Sequence, residues 1–223
     1  MIPLRDKNRS STFPVVNTVL IAANVLVFFY ELSLGTQMHG FFMEFGLVPA
    51  AVTSAGTPTA ERAYPFITSM FLHGGFLHLA GNMLYLYIFG DNVEDRLGHG
   101  KYLVFYLLTG IAAALGQTVL NTSSIVPMIG ASGAISGVLG AYILFFPHAK
   151  VVTLIPFYFI YITEIPAFVF LIIYFLMQLI SGFSSLAQST GGGGVAWWAH
   201  IGGFIAGLAM ASFFRKKKML RSR

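Results

Sequence analysis

The sequence contains no cysteine in 223 residues. That excludes a disulfide framework, thiolate metal sites and a thiol nucleophile, and it leaves the redox compartment unread. Charge is almost as scarce. Asp, Glu, Lys and Arg together make up 9% of the chain, with only 8 acidic residues. A soluble domain carries about 25% charged residues. So few charges cannot cover a water-facing surface. Hydrophobic residues reach 56% and the mean hydropathy is +0.75. Lipid must therefore solvate much of the chain. The net charge of +5 is no sign of nucleic acid, because most of the basic residues flank apolar runs and read as membrane-orienting flanks.

A helix needs about 20 mostly apolar residues to cross the hydrocarbon. Six candidates are present, near Val15–Leu34, Leu77–Phe89, Tyr102–Leu120, Ser132–Phe146, Ile165–Phe183 and Ala196–Phe214. The expected fold class is an all-α polytopic membrane protein of six transmembrane helices. It forms a single domain over residues 1–223, with a cytoplasmic N-terminal tail at 1–13 and a basic cytoplasmic tail at 215–223. Arg5, Lys7 and Arg9 could open a signal peptide. The apolar run after them is long for one, and no small-residue cleavage site follows, which favours a retained helix.

Six spans put both termini on one side. Arg5, Lys7, Arg9, Arg96, Lys101, Lys150 and the basic cluster from Arg215 to Arg223 all fall on that side, and only Arg62 falls on the other. This asymmetry makes the charged side cytoplasmic. The short termini suit a bacterial inner membrane. Of the outer loops, residues 35–68 form the longest and carry apolar pieces suited to the interface. The loop at 184–194 ends in four glycines, which favour mobility. No internal repeat points to a transporter.

Polar side chains at membrane depth are costly and therefore candidates for function. His78 and Asn82 are four residues apart and share a helix face near the outer end of span two. Ser132 opens span four within Gly130-Ala131-Ser132-Gly133. That span is about 22 Å long at 1.5 Å per residue, short of the roughly 30 Å hydrocarbon. Ser132 then lies below the outer surface, and the chain from Val126 to Gly130 enters the protein as irregular backbone. His200 lies about one turn into span six. All four residues fall at similar depth below one face. Gly133 and Gly137 on span four, with Gly203 and Gly207 on span six, provide small faces that let the two helices approach and bring Ser132 towards His200.

Weighed alone, each residue has a plainer role. Ser132 could cap a helix, and His200 could bind a backbone carbonyl. His78 and Asn82 could bridge helices without chemistry. Glu94 and Arg96 suit a cytoplasmic turn, and Tyr85 and Tyr142 suit packing. His73 and His78 are five apart, about 140° around a helix, so they do not make a zinc face, and no cofactor or metal is expected.

In combination these elements resemble the rhomboid family of intramembrane serine proteases. The resemblance runs from span one to span six. It is carried by Gly130-Ala131-Ser132-Gly133, Ala199-His200-Ile201-Gly202, the series His73, His78 and Asn82, and Glu94-Asp95-Arg96-Leu97-Gly98. It implies a rhomboid-like bundle with catalytic Ser132 and His200, no acidic third member, and oxyanion stabilisation by His78 and Asn82. The implied partners are single-span membrane protein substrates and the lipid bilayer, with the site open to the outer side. The chain departs from the best-known relatives in lacking a Trp-Arg pair in its long outer loop. Both tryptophans, Trp197 and Trp198, sit at the start of span six. A non-catalytic helix-binding relative is the alternative, although such relatives usually lose the serine or the histidine. A transporter or proton channel using the buried histidines is a third possibility.

Overall fold

The computed structural model describes residues 1–56, 58–157, 159–187 and 195–219. The chain opens on strand β1 (Ile2–Asp6) and enters helix α1 (Val15–Ser33). The outer segment holds four short helices: α2 (Met38–Phe45), α3 (Pro49–Thr53), α4 (Thr59–Ala63) and α5 (Pro65–Thr68). Long helices α6 (Phe76–Leu97) and α7 (His99–Leu120) follow, then the shorter α8 (Ser132–Phe145). Strands β2 (Lys150–Phe157) and β3 (Phe159–Pro166) lead to α9 (Ala167–Ala187) and α10 (Trp197–Met219). Of the glycine-rich loop expected at 184–194, residues 184–187 belong to α9 and 188–194 lie outside the described residues.

The protein is mostly helical, but it is not all-α. The three strands form an antiparallel sheet in the order β1-β2-β3. Two expectations change with it. The segment expected as an N-terminal tail contributes β1, pairing Ile2 with Leu154 and Asp6 with Val151. The fifth helix starts at Ala167, two residues beyond the expected Ile165, because Pro166 ends β3. A residue before proline is driven to extended backbone, which holds Ile165 in the strand. Residues 150–165 are rich in β-branched and aromatic side chains, the composition that fills pleated surfaces.

Four helices among the described residues are long and apolar enough to cross a membrane: Val15–Ser33, His99–Leu120, Ala167–Ser185 and Trp197–Phe214. Two expected spans fall short on this measure. Helix α6 has the length but carries Asp91, Glu94, Asp95 and Arg96 in its last turns. Helix α8 is apolar but has 14 residues. It is also the most enclosed helix, with every residue from Gly133 to Tyr142 buried. The outward faces of the other long helices are apolar, as at Leu26, Tyr87, Val119 and Ile180. A face of this kind is stable against hydrocarbon and costly against water.

The glycine faces bring α8 and α10 into backbone contact. A Cβ on Gly203 would collide with the Gly133 carbonyl, one on Gly207 with the backbone of Gly137, and one on Gly140 with the Phe204 carbonyl. Larger residues would force the helices apart. At the opposite end of the bundle, the Glu94 carboxylate accepts the Val16 and Asn17 N–H groups at 2.9 and 2.7 Å and pairs with His99 Nδ1. It thereby satisfies two orphan donors at the start of α1. Arg96 lies 5.7 Å above the Phe145 ring.

Candidate active site

Ser132 is the first residue of α8, following Ala131. It has no side-chain duty as a cap, because that position belongs to Ala131 and no side-chain cap bond forms there. Ser132 Oγ instead lies 2.7 Å from His200 Nε2. His200 is 8% exposed, held against α8 by the glycine contacts one turn further along α10. Its other nitrogen, Nδ1, is 2.8 Å from the Gln178 side-chain oxygen. The Trp197 ring stands edge-on to the imidazole, with centroids 6.1 Å apart.

Asn82 and His78 reach the same space from α6. They line a cavity of about 690 Å³ together with Ser132, Tyr174, Gln178 and His200. Their common neighbour is Gly130, whose φ of 120° lies in the region that favours glycine. A Cβ there would come within 2.7 Å of His78 Nε2 and 3.6 Å of Asn82 Nδ2. Glycine thus leaves open the space that both nitrogens face. Asn82 Nδ2 is buried and has no hydrogen-bond partner in the protein. Leaving such a donor idle is costly, so it marks a place where an acceptor fits. The Gly74 N–H donates to His78 Nδ1 at 3.3 Å. In a neutral ring this makes Nδ1 the acceptor and puts the proton on Nε2. Gly130 is itself fixed by a 2.8 Å bond from its N–H to the Ser69 carbonyl.

The outer segment roofs this region. Leu47 and Met128 form an isolated antiparallel bridge, and the Ala50 N–H donates to the Ser124 carbonyl at 3.0 Å. The loop entering α8 is therefore irregular but braced by protein.

All four residues singled out from the sequence meet at one cavity. Gln178 and Tyr174 were missed. Both interrupt an apolar helix, the same signal that drew attention to the others. Tyr174 OH lies 2.8 Å from Ser136 Oγ and ties α9 to α8. Glu31 was also missed. It is fully buried in α1, and its carboxylate accepts the His73 N–H at 3.2 and 3.3 Å. The His73 and His78 rings lie 5.0 Å apart. Among the described residues no group of three His, Cys, Asp or Glu is arranged to hold a metal ion.

A half-buried serine paired with a buried histidine in a bundle of apolar helices defines the class: an integral membrane protein with a hydrolase-like site. Residues 60–217 match the family model of the Rhomboid domain. RHOMBOID-like protein 5 of Arabidopsis thaliana is 31% identical over 141 residues, which is 63% of this chain and 40% of that protein. Rhomboid protease GluP of Bacillus subtilis is 33% identical over 129 residues, 57% of this chain and 24% of that protein. Rhomboid protease AarA of Providencia stuartii is 29% identical over 218 residues, 92% of this chain and 74% of that protein. The chain thus spans less than half the length of the first two. It belongs to the rhomboid family.

Proposed function

We propose that this protein is an intramembrane serine endopeptidase that cuts transmembrane or juxtamembrane segments of single-span membrane proteins. One observation carries the proposal: Ser132 Oγ and His200 Nε2 meet at 2.7 Å in a cavity that also holds an unpartnered amide donor. A hydroxyl is a poor nucleophile until a base removes its proton. His200 Nε2 takes the Ser132 proton as Oγ attacks the scissile carbonyl. The negative charge that develops on the carbonyl oxygen is received by Asn82 Nδ2, His78 Nε2 and the Ser132 backbone N–H at the positive end of α8. His200 then gives its proton to the leaving amine, and water hydrolyses the acyl-enzyme by the same route. The substrate helix must unwind locally, because helical carbonyls are hydrogen-bonded within the helix.

The same reading makes residues 1–223 one domain with six spans. Helix α8 counts as a span because the surrounding protein shelters its short length, and α6 because its charged end reaches the cytoplasm. Both termini are then cytoplasmic, the site opens outward, and a bacterial inner membrane is the setting. The names of the bacterial relatives, rhomboid proteases GluP and AarA, support the activity. The test is co-expression with a panel of single-span membrane proteins. Cleavage of at least one by the native chain and by no Ser132→Ala variant is expected. Equal cleavage by that variant contradicts the reading.

A further inference from the structure

The His200 ring makes two side-chain hydrogen bonds, and the one to Ser132 engages Nε2 alone. The second, Nδ1 to the Gln178 oxygen at 2.8 Å, comes from a different helix. We infer that Gln178 is the positioning residue that fixes the tautomer and orientation of His200, in place of the carboxylate that serves this purpose in triad hydrolases. The inference rests on the proposed protease reading and assigns Gln178 a part in it.

To accept the Ser132 proton, Nε2 must be bare, so in the neutral ring Nδ1 must carry hydrogen. A buried N–H needs an acceptor. The Gln178 oxygen is at bonding distance, and the residue is itself 8% exposed. A carboxylate at this depth would place an unneutralised charge inside a lipid-surrounded bundle. An amide supplies the acceptor without the charge. Its position is held from one turn away, where Tyr174 bonds Ser136 on α8 at 2.8 Å. From the other side Gln117 of α7 accepts the Ala199 N–H at 3.3 Å, which steadies the first turn of α10. The titratable groups that face His200 across the cavity are His78 and Tyr85 on α6 and Tyr174 on α9, and among the described residues no carboxylate lines it. Gln178 is therefore the group able to set the state of the ring.

The experiment uses the full chain in lipid vesicles with a cleavable single-span substrate and a fluorophosphonate probe. Gln178→Met keeps the length and removes the acceptor. It should lower kcat at least tenfold with KM within about twofold and the thermal midpoint little changed. Gln178→Glu keeps an acceptor and adds charge. It should recover activity relative to Gln178→Met and move the acid limb of the kcat profile to higher pH, because a carboxylate favours the imidazolium. A Gln178→Met variant with native kcat and an unmoved pH profile overturns the inference, as does a Gln178→Glu variant whose acid limb stays in place. Should Gln178→Met fail to fold, the acid limb of Gln178→Glu decides alone. Probe labelling of native Ser132 separates the two levels: no labelling defeats the protease reading, whereas labelling with an indifferent Gln178 defeats only this inference.

Discussion

Asn82 shows how a single amide can be structurally idle and chemically placed. Its donor is buried without a partner, beside a glycine that has room for none of the usual side chains. If that donor receives the developing oxyanion, Asn82→Ala should lower kcat by about 10²–10³, the usual effect of losing one such donor. Steady-state cleavage of a single-span substrate checks this, and an unchanged kcat removes Asn82 from the mechanism. Ser132, His200, His78 and Asn82 were legible in the sequence because each is polar where lipid makes polarity costly. Their common depth followed from the charges alone. Gln178 was not legible as a partner of His200, because the pairing depends on the rotation of α9 about its axis. Tyr174, Gln178, Ser181 and Ser185 recur at helical spacing on one face of α9, but the spacing does not say which neighbouring helix that face meets. Glu31 escaped for a similar reason. Only the structure shows that Asn17, Asn24 and Glu31, seven residues apart in turn, form one buried edge of α1.

At the scale of elements, the contact between α8 and α10 sets the distance between Ser132 and His200. The Gly203 and Gly207 approach leaves no space for a Cβ. Gly207→Val should separate the helices, lengthen the Ser132–His200 contact and abolish activity, with loss of stability as well. Substitution at Gly81, where a Cβ meets open space, should be tolerated by comparison. Thermal unfolding of the two variants in detergent, alongside their cleavage rates, checks the contrast. The small-residue faces were visible in the sequence, and so were all six long-helix starts to within about three residues. The sheet was not foreseen. Its strands join the first residues of the chain to a hairpin about 150 positions later, and local pattern carries no signal for a pairing of that range. The run at 150–165 has strand composition, but its apolar residues continue directly into the fifth helix, which hides where the strand ends.

For the whole molecule, Asp6, Asp91, Glu94, Asp95 and Glu164 gather at the end of the bundle away from the cavity, where β1 docks. Burial pushes the Asp6 carboxyl up to about 6, although Tyr142 donates to it at 2.5 Å and Asn92 at 2.9 Å. Its ordinary value is 3.8. The folded protein therefore binds more protons than the unfolded chain between those values, and this group's contribution to stability falls as pH rises from about 4 to about 6. Asp6→Asn should flatten that part of the stability–pH curve, measured as the thermal midpoint in detergent. A slope identical to that of the native chain contradicts the assignment. Activity tests the opposite end of the bundle and the central claim. The most direct measurement is covalent labelling of the native protein in vesicles by a fluorophosphonate probe, with the modified residue located by peptide mass mapping. The account predicts a single adduct on Ser132 that disappears in Ser132→Ala and is strongly reduced in His200→Ala. Absence of an adduct on Ser132, or labelling undiminished in His200→Ala, would contradict it.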